Sequence, residues 1–177
     1  MRIIAGSRKG ARIFSPKGAT RPTGDRVREA AFNLIGPVDE MAVLDLFAGS
    51  GAMSFEALSR GARSAVLVES DRDAQKTIER NLEKLDLKGA TILKQDARRA
   101  LAAETAAGRR YDLVLVDPPY RMLDSLLPIL STYLPALLAE DGIVVLETPA
   151  REHPELPLAE RTSRTYGSVR LTVFEAA

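Results

Sequence analysis

Residues 42–51 have the sequence AVLDLFAGSG, in which an apolar run leads into an acid and then into a glycine-containing loop. The run Ala42–Leu46 predicts a buried strand that ends near Asp45, and Gly51–Arg60 has the pattern of a helix. The glycines of the loop allow a positive φ and a close approach of a ligand to the main chain. A strand, a glycine loop and a helix in this order predict the first unit of a doubly wound α/β fold.

The same alternation of strand and helix continues beyond this unit. Further strands are predicted at Ser64–Glu69, Ala90–Lys94, Tyr111–Asp117 and Ile143–Glu147, and helices at Arg72–Leu87, Ala97–Ala106 and Met122–Ala139. Strands without polar residues, such as LVLV at 113–116, are typical of a parallel sheet that is covered on both faces.

The two ends of the chain add different elements. The segment RTSRTYGSVRLTVFE at 161–175 predicts an antiparallel hairpin that turns at Gly167–Ser168. At the other end, Gly24–Ile35 predicts a helix, and residues 2–14 predict a small hairpin around Gly10. The sequence therefore predicts an α/β fold whose sheet is doubly wound, mostly parallel and seven-stranded.

We expect one domain over residues 1–177, in which a basic extension at 1–36 precedes a core at 37–177. The net charge is +1, yet residues 1–30 contain eight basic side chains and only two acidic ones. A basic segment on an acidic remainder indicates a polyanionic partner. The candidate contacts are Arg2, Arg8, Lys9, Arg12, Arg21 and Arg26. The alternative is that these charges only keep the end of the chain solvated.

Residue counts exclude several kinds of site. The chain has no cysteine, which excludes disulfides, thiolate zinc sites and a cysteine nucleophile. Its single histidine, His153, argues against a histidine-rich metal site or a Ser-His-Asp triad, and we predict no metal. No apolar run reaches the roughly 18 residues of a membrane span, and the first residues lack the apolar core of a secretory signal. These features favour a cytoplasmic protein.

Acidic residues occur where four successive parallel strands end, at Asp45, Glu69, Asp96 and Asp117. Because the carboxyl ends of parallel strands meet at one edge of a sheet, we expect these acids to converge there. Four acids together favour a ligand rich in hydroxyls and amines. Each acid alone could instead be the N-cap of the helix that follows it.

The loop after the first strand lacks the known phosphate-binding fingerprints. Ser54 stands where a dinucleotide-binding motif has its third glycine, and no lysine follows Gly51 as it would in a P-loop. Glu69, at the end of the second strand, is placed to accept both hydroxyls of a ribose. A nucleoside with a tail other than phosphate fits this pattern, and S-adenosylmethionine is such a molecule. An NAD-linked oxidoreductase is disfavoured.

The fourth strand ends in Asp117-Pro118-Pro119-Tyr120. The prolines fix φ and remove two main-chain donors, so this segment cannot continue the ladder of the sheet. A carboxylate beside a proline carbonyl offers two acceptors and no donor, which complements an NH2 group. Tyr120 supplies an aromatic face on which a planar base can stack. The alternative is a proline-rich turn with a solvated tyrosine.

Several of these motifs resemble those of one enzyme branch. DLFAGSG (45–51), Gln95-Asp96-Ala97 and DPPY (117–120), together with Glu69, resemble the amino-methyltransferases among the Rossmann-like S-adenosylmethionine-dependent methyltransferases. More narrowly, MRIIAGSRKGARI (1–13), ATRPTGDRVREAAFNLI (19–35) and TYGSVRLTVFE (165–175) resemble the bacterial 16S rRNA guanine-N2 methyltransferase family called RsmD. The resemblance extends from Met1 to Glu175.

The resemblance implies a monomeric enzyme that transfers a methyl group to N2 of a guanine, position 966 in that family, of 16S ribosomal RNA. Its partners would be 16S rRNA, or the small ribosomal subunit and its assembly intermediates. The catalytic residues would be Asp117, Pro118, Pro119 and Tyr120. Glu69 would bind the ribose of S-adenosylmethionine, and Asp96 with Ala97 the adenine. The methionine moiety would be bound by Asp45, Phe47, Ala48, Gly49, Ser50 and Gly51.

Two alternatives remain at this point. A methyltransferase acting on adenine N6 of DNA or RNA shares every core motif, because DPPY indicates the chemistry and not the base. A non-catalytic RNA-binding assembly protein with the same fold is the alternative from another class.

Overall fold

The computed structural model describes residues 1–16 and 24–176. Within these residues it contains five α-helices, namely α1 (Asp25–Ile35), α2 (Ala52–Ser59), α3 (Arg72–Leu85), α4 (Ala97–Ala106) and α5 (Leu123–Leu137). Its seven strands are β1 (Ala42–Asp45), β2 (Ser64–Val68), β3 (Ala90–Leu93), β4 (Tyr111–Val116), β5 (Leu138–Pro149), β6 (Ala159–Tyr166) and β7 (Val169–Glu175). None of the helices in these two ranges is long and apolar enough to cross a membrane.

The strands form one sheet in the order β3-β2-β1-β4-β5-β7-β6. The first five strands are parallel, and β7 lies antiparallel between β5 and β6. This order confirms the predicted seven-stranded, mostly parallel sheet with a closing antiparallel hairpin. The order reverses between β1 and β4, so the loops that follow these two strands diverge and leave a crevice at the carboxyl edge.

Helices cover both faces of the sheet. On one face, residues of α1, α2 and α3, including Phe55 and Ile78, form a core with the N-terminal residues Ile3 and Ile13. On the other face, α4 and α5 bury side chains such as Leu101 against the sheet. The central strands are apolar and buried because both of their faces are covered, as the sequence predicted.

The end of α5 differs from its prediction. The helix stops at Leu137, and β5 begins at Leu138 instead of at Ile143. Leu138 pairs with Tyr111 before the regular ladder of β4 and β5 starts at Ile143. Leu137 and Leu138 are both buried, one as the last residue of a helix and the other as the first of a strand. Apolar periodicity therefore could not separate the two elements.

Residues 1–16, which we call the N-terminal arm, fold back on themselves as predicted but form no regular strands. The two segments that flank the turn pair through a single antiparallel bridge between Arg2 and Arg12. A 2.9 Å hydrogen bond from the Ile3 N–H to the Ala11 carbonyl supports this bridge. A short 3-10 turn at Gly6–Arg8 lies between them. The arm packs on the core through Ile3 and Ile13, so it is not merely a solvated end.

A buried ion network explains why the β-pairing within the N-terminal arm does not extend beyond a single bridge. The carboxylate of Glu56, fully buried on α2, accepts hydrogen bonds of 2.8 and 3.0 Å from the N–H groups of Ile4 and Ala5. These donors are consequently not available to a partner strand. Arg28 and Arg60 compensate the charge of Glu56, with nitrogen–oxygen distances of 3.6 and 2.8 Å.

Candidate active site at the carboxyl edge of the sheet

Asp45 ends β1 beside the crevice and is almost fully buried. Its carboxylate accepts a 2.7 Å hydrogen bond from the hydroxyl of Ser54 on α2. Burial is the main cause that raises the pKa of Asp45 from its usual 3.8 to about 7, and the Ser54 bond opposes that shift. The negative charges of Asp117 and Glu69 raise the pKa further. The structure therefore brings three of the four predicted acids together.

The glycine loop connects β1 to α2 and follows the sequence prediction closely. Gly49 and Gly51 both have a positive φ, of 56° and 81°. A Cβ added to Gly51 would lie 2.4 Å from the ring of Phe55, so this position requires glycine. A Cβ added to Gly49 would meet no heavy atom within 4 Å, so the loop faces open space at that residue.

Glu69 follows β2 and holds the glycine loop. One carboxylate oxygen accepts a 2.8 Å hydrogen bond from the Gly49 N–H, and the other accepts a 2.8 Å bond from the Asp71 N–H. A carboxylate has about four acceptor sites, so each oxygen retains capacity for a further donor. The side chain is half-buried, and Gln75 donates to its main-chain carbonyl. Glu69 is thus fixed in place next to the loop.

Asp96 is the predicted acid for which the structure gives a local structural role. It is the N-cap of α4, and its carboxylate accepts a 3.1 Å hydrogen bond from the Arg99 N–H. The other carboxylate oxygen lies 3.6 Å from the Arg99 guanidinium. Ala97 opens α4 and is buried. The first N–H groups of a helix have no partner within it, so this end of α4 can donate to a ligand.

The DPPY segment follows β4 on the other side of the crevice. Asp117 is half-buried, Pro118 is buried, and Tyr120 is 42% exposed at the start of a 3-10 turn. The carbonyl of Pro119 accepts a 2.8 Å hydrogen bond from the Met122 N–H and so belongs to that turn. The segment leaves the sheet where the prolines predict it to, and it presents an aromatic ring to solvent.

The predicted basic contacts divide into three groups. Arg2, Lys9 and Arg26 line one groove of about 320 Å³ between the N-terminal arm and α1, together with Asp25 and Glu29. Arg12 is exposed. Arg8 instead donates from its guanidinium to the carbonyls of Leu85 and Asp86 at the end of α3. Arg21 lies outside the described residues.

Sequence reasoning missed two polar residues of the site. Ser54 counted only as the residue that breaks a dinucleotide motif, yet it is the partner of Asp45. Asn81 is fully buried on α3, where it contacts both Phe14 of the N-terminal arm and Ser50 of the glycine loop. In the sequence of α3, Asn81 lies between the buried residues Ile78 and Leu85. An asparagine at the margin of an apolar stripe was the available signal.

Comparisons with known proteins agree with this arrangement. The model of the family described as conserved hypothetical protein 95 matches residues 1–175. A Bacillus subtilis protein named "Putative rRNA methyltransferase YlbH" is 39% identical over 99% of this chain and 98% of its own length. Ribosomal RNA small subunit methyltransferase D of Escherichia coli is 37% identical over 84% of this chain and 74% of its own.

A solved structure shows the same fold over the whole chain. A hypothetical protein of Thermus thermophilus is 34% identical and superposes with a TM-score of 0.87, covering 99% of each chain. The fold described above therefore occurs in a protein of experimentally determined structure.

Proposed function

The chain belongs to the family described as conserved hypothetical protein 95, and from this membership we propose that it methylates N2 of a guanine in 16S ribosomal RNA. S-adenosylmethionine is the methyl donor, and ribosomal RNA is the class of substrate named for the relatives. The choice of a guanine amine depends on the DPPY segment and on the resemblance of residues 1–13 and 19–35 to the guanine-N2 family.

One observation carries the chemical part of the proposal. Asp117 follows β4 where the strand order reverses, close enough to Asp45 for its charge to raise the pKa of that residue. The exposed ring of Tyr120 comes three residues later. These observations support a site in which acceptors and an aromatic ring lie beside the loop that follows β1.

The residues around the glycine loop fit S-adenosylmethionine. The carboxylate of Glu69 has acceptor capacity for the two ribose hydroxyls, and the start of α4 at Ala97 can donate to the adenine edge. Open space above Gly49 leaves room for the ligand beside the main chain. Asp45 and the loop Phe47–Gly51 would then hold the methionine moiety. When bound, S-adenosylmethionine supplies an electrophilic methyl group on a positively charged sulfur.

Asp117 and Pro118 act on the amine that accepts the methyl group. The exocyclic amine of guanine is a weak nucleophile because its lone pair is delocalised into the ring. If the Asp117 carboxylate and the Pro118 carbonyl each accept one N–H, the nitrogen is held with its lone pair directed away from both acceptors. The carboxylate also stabilises the positive charge that develops on nitrogen. The surplus N–H proton leaves to Asp117 or to water after transfer.

Tyr120 would hold the target base outside its stack. An amine inside a helix cannot be reached, so the base must be flipped or already unpaired. Stacking on an exposed tyrosine ring stabilises such a base without reading its identity. We propose that a pre-folded RNA, 16S rRNA or an assembling small subunit, supplies the specificity. The reaction would then take place in the cytoplasm, where ribosomes are assembled.

Product analysis tests the proposal. The protein is incubated with methyl-labelled S-adenosylmethionine and either naked 16S rRNA or small subunits isolated without this modification, and the nucleosides are analysed by mass spectrometry. We expect N2-methylguanosine at one position. N6-methyladenosine would replace the proposal with the adenine alternative. Tight RNA binding without any labelled nucleoside would favour the non-catalytic assembly protein.

A further inference from the structure

Phe14 is an aromatic side chain that the core does not use. Its side chain is 40% exposed, and Tyr120 is the only other large hydrophobic residue so exposed in the described part of the chain. Ile13 is buried, whereas Arg12 and Phe14 on either side of it are exposed. Arg12 and Phe14 are therefore both available at the surface of the N-terminal arm, on either side of the buried Ile13.

Two cations of α3 lie against the Phe14 ring. The guanidinium carbon of Arg80 is 4.3 Å from the ring centroid, and the ammonium of Lys84 is 4.8 Å from it. Both side chains are exposed, and their spacing of four residues places them on one face of the helix. Two acids of α3, Asp73 and Glu79, pair with lysines, namely Lys76 and Lys94. Two cationic groups therefore lie against this ring.

Asn81 fixes the position of Phe14. The amide oxygen of Asn81 accepts a 2.7 Å hydrogen bond from the Phe14 N–H, and its amide nitrogen donates to the Phe14 carbonyl at 2.9 Å. The same nitrogen donates to the Ser50 carbonyl at 3.0 Å. The main chain at Phe14 is thus fixed by hydrogen bonds, and Asn81 links it to the glycine loop at Ser50.

We propose that Arg12, Phe14, Arg80 and Lys84, the Phe14 surface, bind a single-stranded stretch of the substrate RNA beside the active site. A base stacks on the ring, and the three cations neutralise phosphates on either side of it. An aromatic ring among cations matches the alternating bases and phosphates of a single strand. This inference rests on the proposed function, because it takes RNA as the substrate.

RNA binding by surface variants tests the inference. The probe is in vitro transcribed 16S rRNA, and the dissociation constant is measured by filter binding at several salt concentrations. Each lost phosphate contact lowers the salt slope by about 0.7 for a single strand, so Arg80→Gln/Lys84→Gln should lower it by about 1 to 1.5. Phe14→Leu should weaken binding about tenfold with little change in slope, since stacking carries no counterion term.

The control variant removes two exposed cations that precede β3 and β4 at the amino edge of the sheet, in Lys88→Gln/Arg109→Gln. It should bind as wild type does. Wild-type affinity and slope in Arg80→Gln/Lys84→Gln, while the wild type methylates the RNA, would overturn the Phe14 surface and leave the proposed function intact. If the wild type yields no methylated nucleoside, the proposed function itself fails. An effect of Phe14→Leu on thermal stability leaves the double cation variant to decide.

Discussion

The hydroxyl of Ser54 donates a 2.7 Å hydrogen bond to the carboxylate of Asp45, and both groups are buried at the carboxyl end of β1. The bond stabilises the ionised form of Asp45, yet burial dominates and raises the pKa to about 7. Asp45 therefore exchanges its proton near neutral pH, where an aspartate at the surface is fully ionised.

We expect S-adenosylmethionine to bind more tightly as the pH rises through about 7. A positively charged ligand beside Asp45 favours the carboxylate, so below the pKa each bound molecule must first displace a proton. Affinity should then fall by up to about tenfold per pH unit below pH 7 and level off above it. Calorimetric titration between pH 6 and pH 8.5 measures this dependence, and titration in two buffers at pH 7 measures the released proton.

Two variants show whether Asp45 causes that dependence. Asp45→Asn should bind weakly with no pH dependence in this range. Ser54→Ala should shift the midpoint to higher pH, since the hydrogen bond that lowers the pKa of Asp45 is lost. A midpoint unchanged in both variants would assign the titration to another group.

Asp117→Ala should reduce turnover by several orders of magnitude and change the affinity for S-adenosylmethionine only a few-fold. The reason is that Asp117 is proposed to contact the reacting amine and not the cofactor. Single-turnover methylation of 16S rRNA gives the rate, and calorimetry gives the affinity. Asp124→Asn, which alters an exposed acid in the first turn of α5, is the matched control. Near-normal turnover in Asp117→Ala would contradict the role of the DPPY segment.

Local pattern predicted most of the fold and the acids of the site. The ends of the strands and the glycine loop are determined by residues that are neighbours in the sequence. Asp45, Glu69 and Asp117 could therefore be assigned to the carboxyl edge of the sheet from the sequence alone. The contacts of Asn81 could not be predicted in this way. Its partner Phe14 lies 67 positions away in the sequence, and periodicity cannot show that a distant main-chain amide will satisfy a buried side chain.

The role of Arg8 is a second example of a contact that the sequence could not predict. The charge of the basic extension predicted that Arg8 contacts a polyanion, because charge counts do not register main-chain carbonyls. The last carbonyls of a helix lack internal partners, and Arg8 satisfies two of them at the end of α3. A cation there also interacts favourably with the helix dipole.

Glu69→Ala should weaken S-adenosylmethionine binding by roughly 1.5 to 3 kcal/mol, the range for hydrogen bonds to a charged acceptor. The loss has two sources, namely the ribose contacts and the 2.8 Å bond that holds Gly49 in the loop. Calorimetry measures the loss. Asp71→Ala is the control because Asp71 caps α3, so it should lower stability by about 1 kcal/mol without changing affinity. The reverse result would move the ribose contact to Asp71.

Glu56→Gln should destabilise the fold by about 1 to 3 kcal/mol, because it removes one of the two carboxylates that pair with the fully buried Arg28 and leaves only Asp25, at 2.9 Å, to compensate its charge. Urea denaturation measures the change in the free energy of unfolding. Hydrogen exchange should show faster exchange at the amides of Ile4 and Ala5, which Glu56 binds. The exposed Glu83→Gln should stay within about 0.5 kcal/mol of wild type. Normal protection of the N-terminal arm in Glu56→Gln would mean that other contacts anchor it.

Arg8→Ala should change the stability of the fold, whereas Lys9→Ala/Arg12→Ala should change the salt dependence of RNA binding. Arg8 binds main-chain carbonyls, so its removal should cost about 1 to 2 kcal/mol of stability and leave the salt dependence of RNA binding nearly unchanged. Lys9 and Arg12 are exposed, so their removal should leave stability unchanged and flatten the salt dependence, because two phosphate contacts and their counterions are lost. Urea denaturation and filter binding on the same preparations measure both quantities. A flattened slope in Arg8→Ala at wild-type stability would return Arg8 to the RNA contacts, and an unchanged slope in Lys9→Ala/Arg12→Ala would show that these charges only solvate the N-terminal arm.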